Sequence, residues 1–172
     1  QIRSLAARHG WRFKAWENAG LLRLLDVPLI DIRSDEVMYR IAHAVRELGA
    51  KRLVIDSVSS LKSATMDSEK VRQFLIQLSE YAKSSGVTCA MTYLVPVAFG
   101  AEKGQLMSAM SSNDARLSSA VDCLILQRYV ERDRTVRKLI TVLKMRGVAH
   151  DTAIHSYDIG PKGVVIGEPF EE

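Results

Sequence analysis

The chain has 172 residues, 47% of them apolar and 26% charged, enough for one domain with a buried core. No run reaches the ~20 apolar residues of a membrane helix and no basic-then-apolar leader is visible, so no membrane partner is expected; Cys89 and Cys123, read as reduced thiols, point to the cytoplasm. A formal net charge of +4 is too mild to imply a polyanion partner by itself.

The chain opens on Gln1, and Ile2, Leu5, Ala6 and His9 recur at helical spacing with no start signal before them. The expectation is that the protein begins upstream. Trp11 to Trp16 reads as a compact amphipathic turn, and Leu21-Leu-Arg-Leu-Leu25 as a strand ended by Asp26 and Pro28. Ser34 is placed to cap a helix whose first turn carries Asp35 and Glu36. Val37, Ile41, Val45 and Leu48 form its buried stripe, and Gly49 stops it.

Leu53, Val54 and Ile55 then run straight into Asp56 and Ser57. Continuous apolar residues suit a parallel strand covered by helices, and ligands of open α/β sheets collect beyond the carboxyl ends of such strands. An acid there is how nucleotide hydrolases hold Mg²⁺, although an Asp that merely caps the next helix reads the same way. A Ser-rich connection leads to a helix over about 67–85, with the stripe Val71, Phe74, Leu75, Leu78, Tyr81 and Ala82 and a stop at Gly86. Val87 to Thr92 is the next strand. Strands alternating with helices predict βαβ units and a mostly parallel sheet.

Periodicity fails over 94–114, which reads as a binding loop or an unstructured insertion. Val121 to Val130 and Thr135 to Met145 are β-rich runs joined by the polar Glu131-Arg-Asp-Arg134, and 153–159 and 163–166 complete an antiparallel C-terminal portion. Cys89 and Cys123 lie in strand-like apolar runs, as reduced core thiols do. Between Arg128 and Arg146 seven basic residues stand against two acids, which suits a solvated face as well as a polyanion site. Lys144 and Arg146, two apart on a strand, share a face at ~6–7 Å next to the Gly147 turn. A point charge beside a bidentate fork suits a phosphate, with His150 placed to join them, although a solvent-facing strand carries the same pattern.

Leu53-Val-Ile-Asp-Ser-Val58, the polar strand end Met91-Thr92, and Leu143-Lys-Met-Arg-Gly-Val-Ala-His150 with the Ile/Tyr-rich strand after it together resemble the KaiC-type branch of the RecA-like ATPases. The likeness covers nearly the whole chain in order, and Lys-Met-Arg-Gly is its most specific element. It implies an α/β fold: a RecA-like P-loop NTPase core, a mostly parallel sheet flanked by helices, and a C-terminal antiparallel β portion. Residues 1–172 would form a single partial domain, incomplete at the N-terminus. ATP and Mg²⁺ are the implied cofactors. Asp56 would be the Walker-B acid that orients Mg²⁺ through water, Ser57 its polar neighbour and Thr92 a sensor-like group. Lys144 and Arg146, with His150, would reach the γ-phosphate held by a neighbouring protomer of a hexameric ring, and the 94–114 loop would face the central channel.

No Gly-x-x-x-x-Gly-Lys-Ser/Thr occurs in the 172 residues, and the paired glutamates that precede this region in the family are also missing. By that mechanism these residues alone cannot hydrolyse ATP. The implied protein is therefore a longer ATPase that turns hydrolysis into conformational signalling. Two competing readings are a recombinase-like accessory protein that binds DNA through 94–114 and 128–146, and a non-catalytic subunit presenting Lys144 and Arg146 to a neighbour's ATP.

Overall fold

The computed structural model describes residues 2–27, 33–63, 68–94, 118–161 and 163–170. Its contacts fall into two compact units, one spanning Lys14–Ala120 and the other combining Gln1–Phe13 with Val121–Glu172. The first unit is α/β and the second is mainly antiparallel β.

In the first unit, helix α2 (Phe13–Asn18) is followed by α3 (Ser34–Leu48), β1 (Arg52–Ile55), α4 (Val58–Ser63), α5 (Ser68–Ser84), β2 (Thr88–Met91) and a short 3₁₀ turn at Ser118–Ala120. Helix α1 (Ile2–Arg8) precedes α2 in sequence and belongs to the other unit. Helix α3 buries Val37, Ile41 and Val45, the predicted stripe less Leu48, which stays half-buried. Gly49 ends it in the left-handed region (φ 62°), where its N–H and that of Ala50 satisfy the last carbonyls, Arg46 and Val45. Ser34 is not the cap expected of it. Arg33 takes that position, with no side-chain hydrogen bond, and the Ser34 hydroxyl turns to Asp35.

Helix α5 buries Val71, Phe74, Leu75, Leu78 and Ala82 against the α3 stripe and Val58, with Leu53, Ile55, Cys89 and Met91 packed on that cluster from the sheet. Each such fully buried side chain contributes about 1.5–3 kcal/mol. Strands β1 and β2 pair in parallel, Arg52 opposite Thr88 through Ile55 opposite Met91. Burial alternates along both strands, so one face packs on the helices while Arg52, Val54, Thr88 and Ala90 are exposed, Val54 at 68%. The apolar run at 53–55 had implied cover on both faces; among the described residues only one face has it.

The strand expected at Leu21–Leu25 does not form. The chain there is irregular, Leu21 is exposed, and the Leu21 and Leu22 amides bond back to the Trp16 carbonyl. A strand exists only through a ladder with a neighbour, and among the described residues this run has none. The 94–114 stretch lies outside the described residues apart from Leu94.

The second unit holds β3 (Cys123–Arg132), β4 (Thr135–Met145), β5 (His155–Gly160) and β6 (Gly163–Pro169) in one antiparallel sheet, in that order. Strands β3 and β4 meet in a two-residue turn in which Asp133 (φ 51°) and Arg134 (φ 60°) are both left-handed. Those are the torsions a type I′ hairpin needs to follow the strand twist. Leu139 and Thr141 of β4, Tyr157 of β5 and Ala6 of α1 are buried. Cys123, expected in the core, is exposed at the start of β3, whereas Cys89 is half-buried and its thiol pKa is raised by desolvation.

Candidate functional site

Because Ile55 lies opposite Met91, the next residue of each strand, Asp56 and Thr92, emerges at the same carboxyl edge. The ladder runs one step past the strands: the Thr92 amide donates to the Ile55 carbonyl at 3.0 Å, and the Val58 amide donates to the Thr92 carbonyl at 3.0 Å. This clamp brings the Thr92 hydroxyl to 2.5 Å from Oδ1 of Asp56. Asp56 is exposed. Ser57, joined to it by a cis peptide, turns away and pairs its hydroxyl with that of Ser60 at 3.0 Å, at the start of α4. Ser59 accepts the Leu94 amide at 2.6 Å, tying α4 to the residue after β2. The sequence did not single out Ser59 or Ser60, since hydroxyls in a Ser-rich turn carry no spacing signal.

The donor set at this edge is a carboxylate and hydroxyls, hard oxygen ligands on an accessible rim. That fits Mg²⁺, which keeps several waters and takes one or two carboxylates together with phosphate oxygens. No group of three or more His, Cys, Asp or Glu among the described residues forms a metal cage. A cation that completes its shell with water and phosphate does not need one.

The basic residues belong to the other unit. Lys144 faces Leu124 across the β3–β4 ladder, and its ammonium donates to the Val121 carbonyl at 2.9 Å. Strand β4 ends at Met145, so Arg146 is a turn residue rather than a second strand residue on the Lys144 face. Its amide donates to the Asp122 carbonyl at 2.9 Å, and its guanidinium Nη1 sits 3.3 Å from Asp122 Oδ1. Gly147 follows with φ 71°, a turn torsion that disfavours a side chain. His150 Nδ1 lies 3.5 Å from the Val148 carbonyl, and its Nε2 is buried with no hydrogen-bond partner among the described residues. Sequence reasoning picked out the two cations and the histidine but missed Asp122, because its link to Arg146 is a cross-strand contact 24 residues away.

A second cluster was also missed. His155 donates from Nδ1 to the Gly167 carbonyl (2.9 Å) and from Nε2 to Asp151 Oδ2 (3.0 Å). Both ring nitrogens therefore face acceptors, which favours the imidazolium. The Gly167 contact, then Asp151, raise the His155 pKa above the usual histidine value. The Ala153 amide, then His155, hold Asp151 below the usual carboxylate range. On the basic hairpin, Lys138 pairs with Asp158 and Arg132 lies over the Phe170 ring, so part of the positive charge is already engaged. No described helix is long and apolar enough to cross a membrane.

The family model described as "ATPase: KaiC" matches residues 1–171. Among curated proteins, the circadian clock protein KaiC3 of Synechocystis is 31% identical over 163 residues, 94% of this chain and 30% of that protein. The circadian clock oscillator protein KaiC of Picosynechococcus is 29% identical over 170 residues, 99% of this chain and 31% of that protein. The chain thus spans about a third of the length of these relatives. Among solved structures, the crystal structure of a KaiC-like protein from Pyrococcus horikoshii OT3 superposes with a TM-score of 0.79 at 26% identity, covering 97% of this chain and 69% of that one. The parallel α/β layer and the antiparallel sheet are the RecA-like architecture of that neighbour. With 171 of its 172 residues matched and its fold shared, the chain belongs to the KaiC family of ATPases.

Proposed function

We propose that this chain is part of an ATP-binding, ATP-hydrolysing ring protein in which it supplies the metal-orienting acid and the cations that act across a subunit boundary. The observation that carries the reading is the Asp56–Thr92 pair at the carboxyl edge of two parallel strands, within a chain matched throughout by an ATPase family model. Asp56 would orient Mg²⁺ through water, and the Thr92 hydroxyl would fix the carboxylate plane. The bound metal supplies charge neutralisation on the phosphate oxygens. Lys144 and Arg146, with His150 four residues further along the chain, would stabilise the charge spread over a transferring phosphoryl group held by a neighbouring protomer. A trans-acting arginine of this kind is worth about 10³–10⁵ in kcat in other phosphoryl-transfer systems. The phosphate-cradling loop, absent from the sequence, would come from another segment of the full-length protein. This division of labour requires a neighbouring copy of the chain; a hexameric ring is the assembly the family resemblance implies, and conformational signalling is its proposed output.

Mixed assemblies test it. In the full-length protein, Asp56→Asn and Lys144→Ala/Arg146→Ala should each reduce ATP turnover by at least about 10²-fold. Rings assembled from equal amounts of the two should recover activity at about a quarter of their interfaces, where intact acid meets intact cations. Absence of recovery in rings shown to be mixed would refute action in trans.

A further inference from the structure

Asp122 has no assigned role, yet it touches Arg146 twice. We infer that Asp122 is a positioning residue for the trans-acting cations, and this rests on the reading of Arg146 given above. Val121 and Asp122 are the two residues that lead into β3, and both are committed to the same short segment. The Val121 carbonyl receives the Lys144 ammonium, the Asp122 carbonyl receives the Arg146 amide, and the Asp122 carboxylate receives the Arg146 guanidinium. Immediately beyond them Cys123 pairs with Met145, so the dipeptide is a direct continuation of the β3–β4 ladder.

This arrangement addresses a specific difficulty. Arg146 lies just past the last residue of β4, on a turn that Gly147 continues, where its amide still bonds to the Asp122 carbonyl but the strand itself has ended. Arginine, with four rotatable side-chain torsions, loses much rotamer freedom when it is immobilised. Charge stabilisation in phosphoryl transfer depends on that loss having been taken before the substrate arrives. Asp122 takes it by fixing the backbone of Arg146 and one edge of its guanidinium together. A guanidinium offers several N–H donors in a planar fork, so an anchor at Nη1 sets its plane.

Stability is a poor explanation for the contact. Arg146 and Asp122 are both about half exposed, at 51% and 52%, and exposed ion pairs contribute little to folding. A carboxylate retained there is better placed to orient than to stabilise.

The test is steady-state ATP turnover by the assembled full-length protein. Asp122→Ala is expected to lower kcat about tenfold with KM for Mg-ATP changed by no more than about twofold, because the loss falls on the transition state. Asp122→Asn, which keeps a hydrogen-bond acceptor at the Oδ1 position, is expected to restore most of that rate. Adding Asp122→Ala to Arg146→Ala is expected to cause no further loss, since the two act as one unit. Should Asp122→Ala fail to assemble, Asp122→Ser tests the same deletion with a polar side chain. If Arg146→Ala is deleterious while Asp122→Ala leaves kcat unchanged, raises it, or multiplies with the Arg146 loss, the positioning role is overturned and the reading of Arg146 survives. If Arg146→Ala itself leaves kcat unchanged, both are overturned.

Discussion

The two units of this chain are held by different forces. In Lys14–Ala120 the two strands are only four residues each, and order comes from helices α3 and α5 burying a shared apolar cluster. In the unit containing Val121–Glu172 the strands run to 10 and 11 residues, but few side chains are buried, and Ile125, Tyr129, Val136 and Val165 are exposed. Burial stabilises the first and backbone ladders organise the second. Each carries candidate site residues just past a strand end: Asp56 and Thr92 one residue beyond β1 and β2, Arg146 one residue beyond β4. A strand end gives a side chain a fixed backbone, which is what the proposed orienting acid and phosphate-contacting cation would require.

The contrast is open to direct attack. Phe74 is 1% exposed at the centre of the first cluster, and Phe74→Ala in the full-length protein is expected to destabilise by about 3–5 kcal/mol. Hydrogen exchange resolved by segment should show the loss concentrated in Lys14–Ala120; equal loss of protection in both units would mean that they unfold as one body. A smaller effect of opposite sign is expected at the β3–β4 turn. Arg134→Gly relieves a left-handed non-glycine torsion and should stabilise the hairpin by about 0.5–1 kcal/mol, read as slower amide exchange along both strands. Faster exchange would show that the turn is not what sets the register.

The smallest effect is a pH dependence near the β5–β6 pairing. The raised pKa of His155 means that its contribution is complete below the unfolded histidine value of about 6.5 and disappears as pH rises through the higher folded value. The depressed pKa of Asp151 means that its contribution is present above about pH 4 and is lost as pH falls through the lower folded value. His150 lies near enough to act electrostatically on Asp151, and Glu168 on His155. The stability gap between the native protein and His155→Gln should therefore be widest between about pH 4 and 6.5 and narrow on further alkalinisation. A gap independent of pH up to 9 would remove the imidazolium from the account.

Much of the first unit was legible in the residues themselves. Helical spacing at 37, 41 and 45 and at 71, 74, 75, 78 and 82 specified which faces would be buried, because helix periodicity is local and each buried side chain adds to the same stripe. The glycine stop at 49 was legible for the same reason. Leu21–Leu25 misled because a short apolar run states a capacity for pairing and not the presence of a partner. Ser34 misled because a cap depends on where the first helical turn begins, to within one residue.

The sequence by itself determined the two long helices, the strands at 52–55 and 88–91 and the C-terminal antiparallel runs, the acid at the end of an apolar strand, and the Lys-Met-Arg-Gly segment that carries the family likeness. These are properties of neighbouring residues along a chain. Only the tertiary structure decided that Thr92 meets Asp56, that Val121 and Asp122 hold Lys144 and Arg146, and that His155 sits between Asp151 and Gly167. Those contacts join residues separated by 36, 23, 24 and 12 positions where the gap is widest. They depend on strand register, and register is set by which faces become buried and by turn geometry rather than by any local pattern.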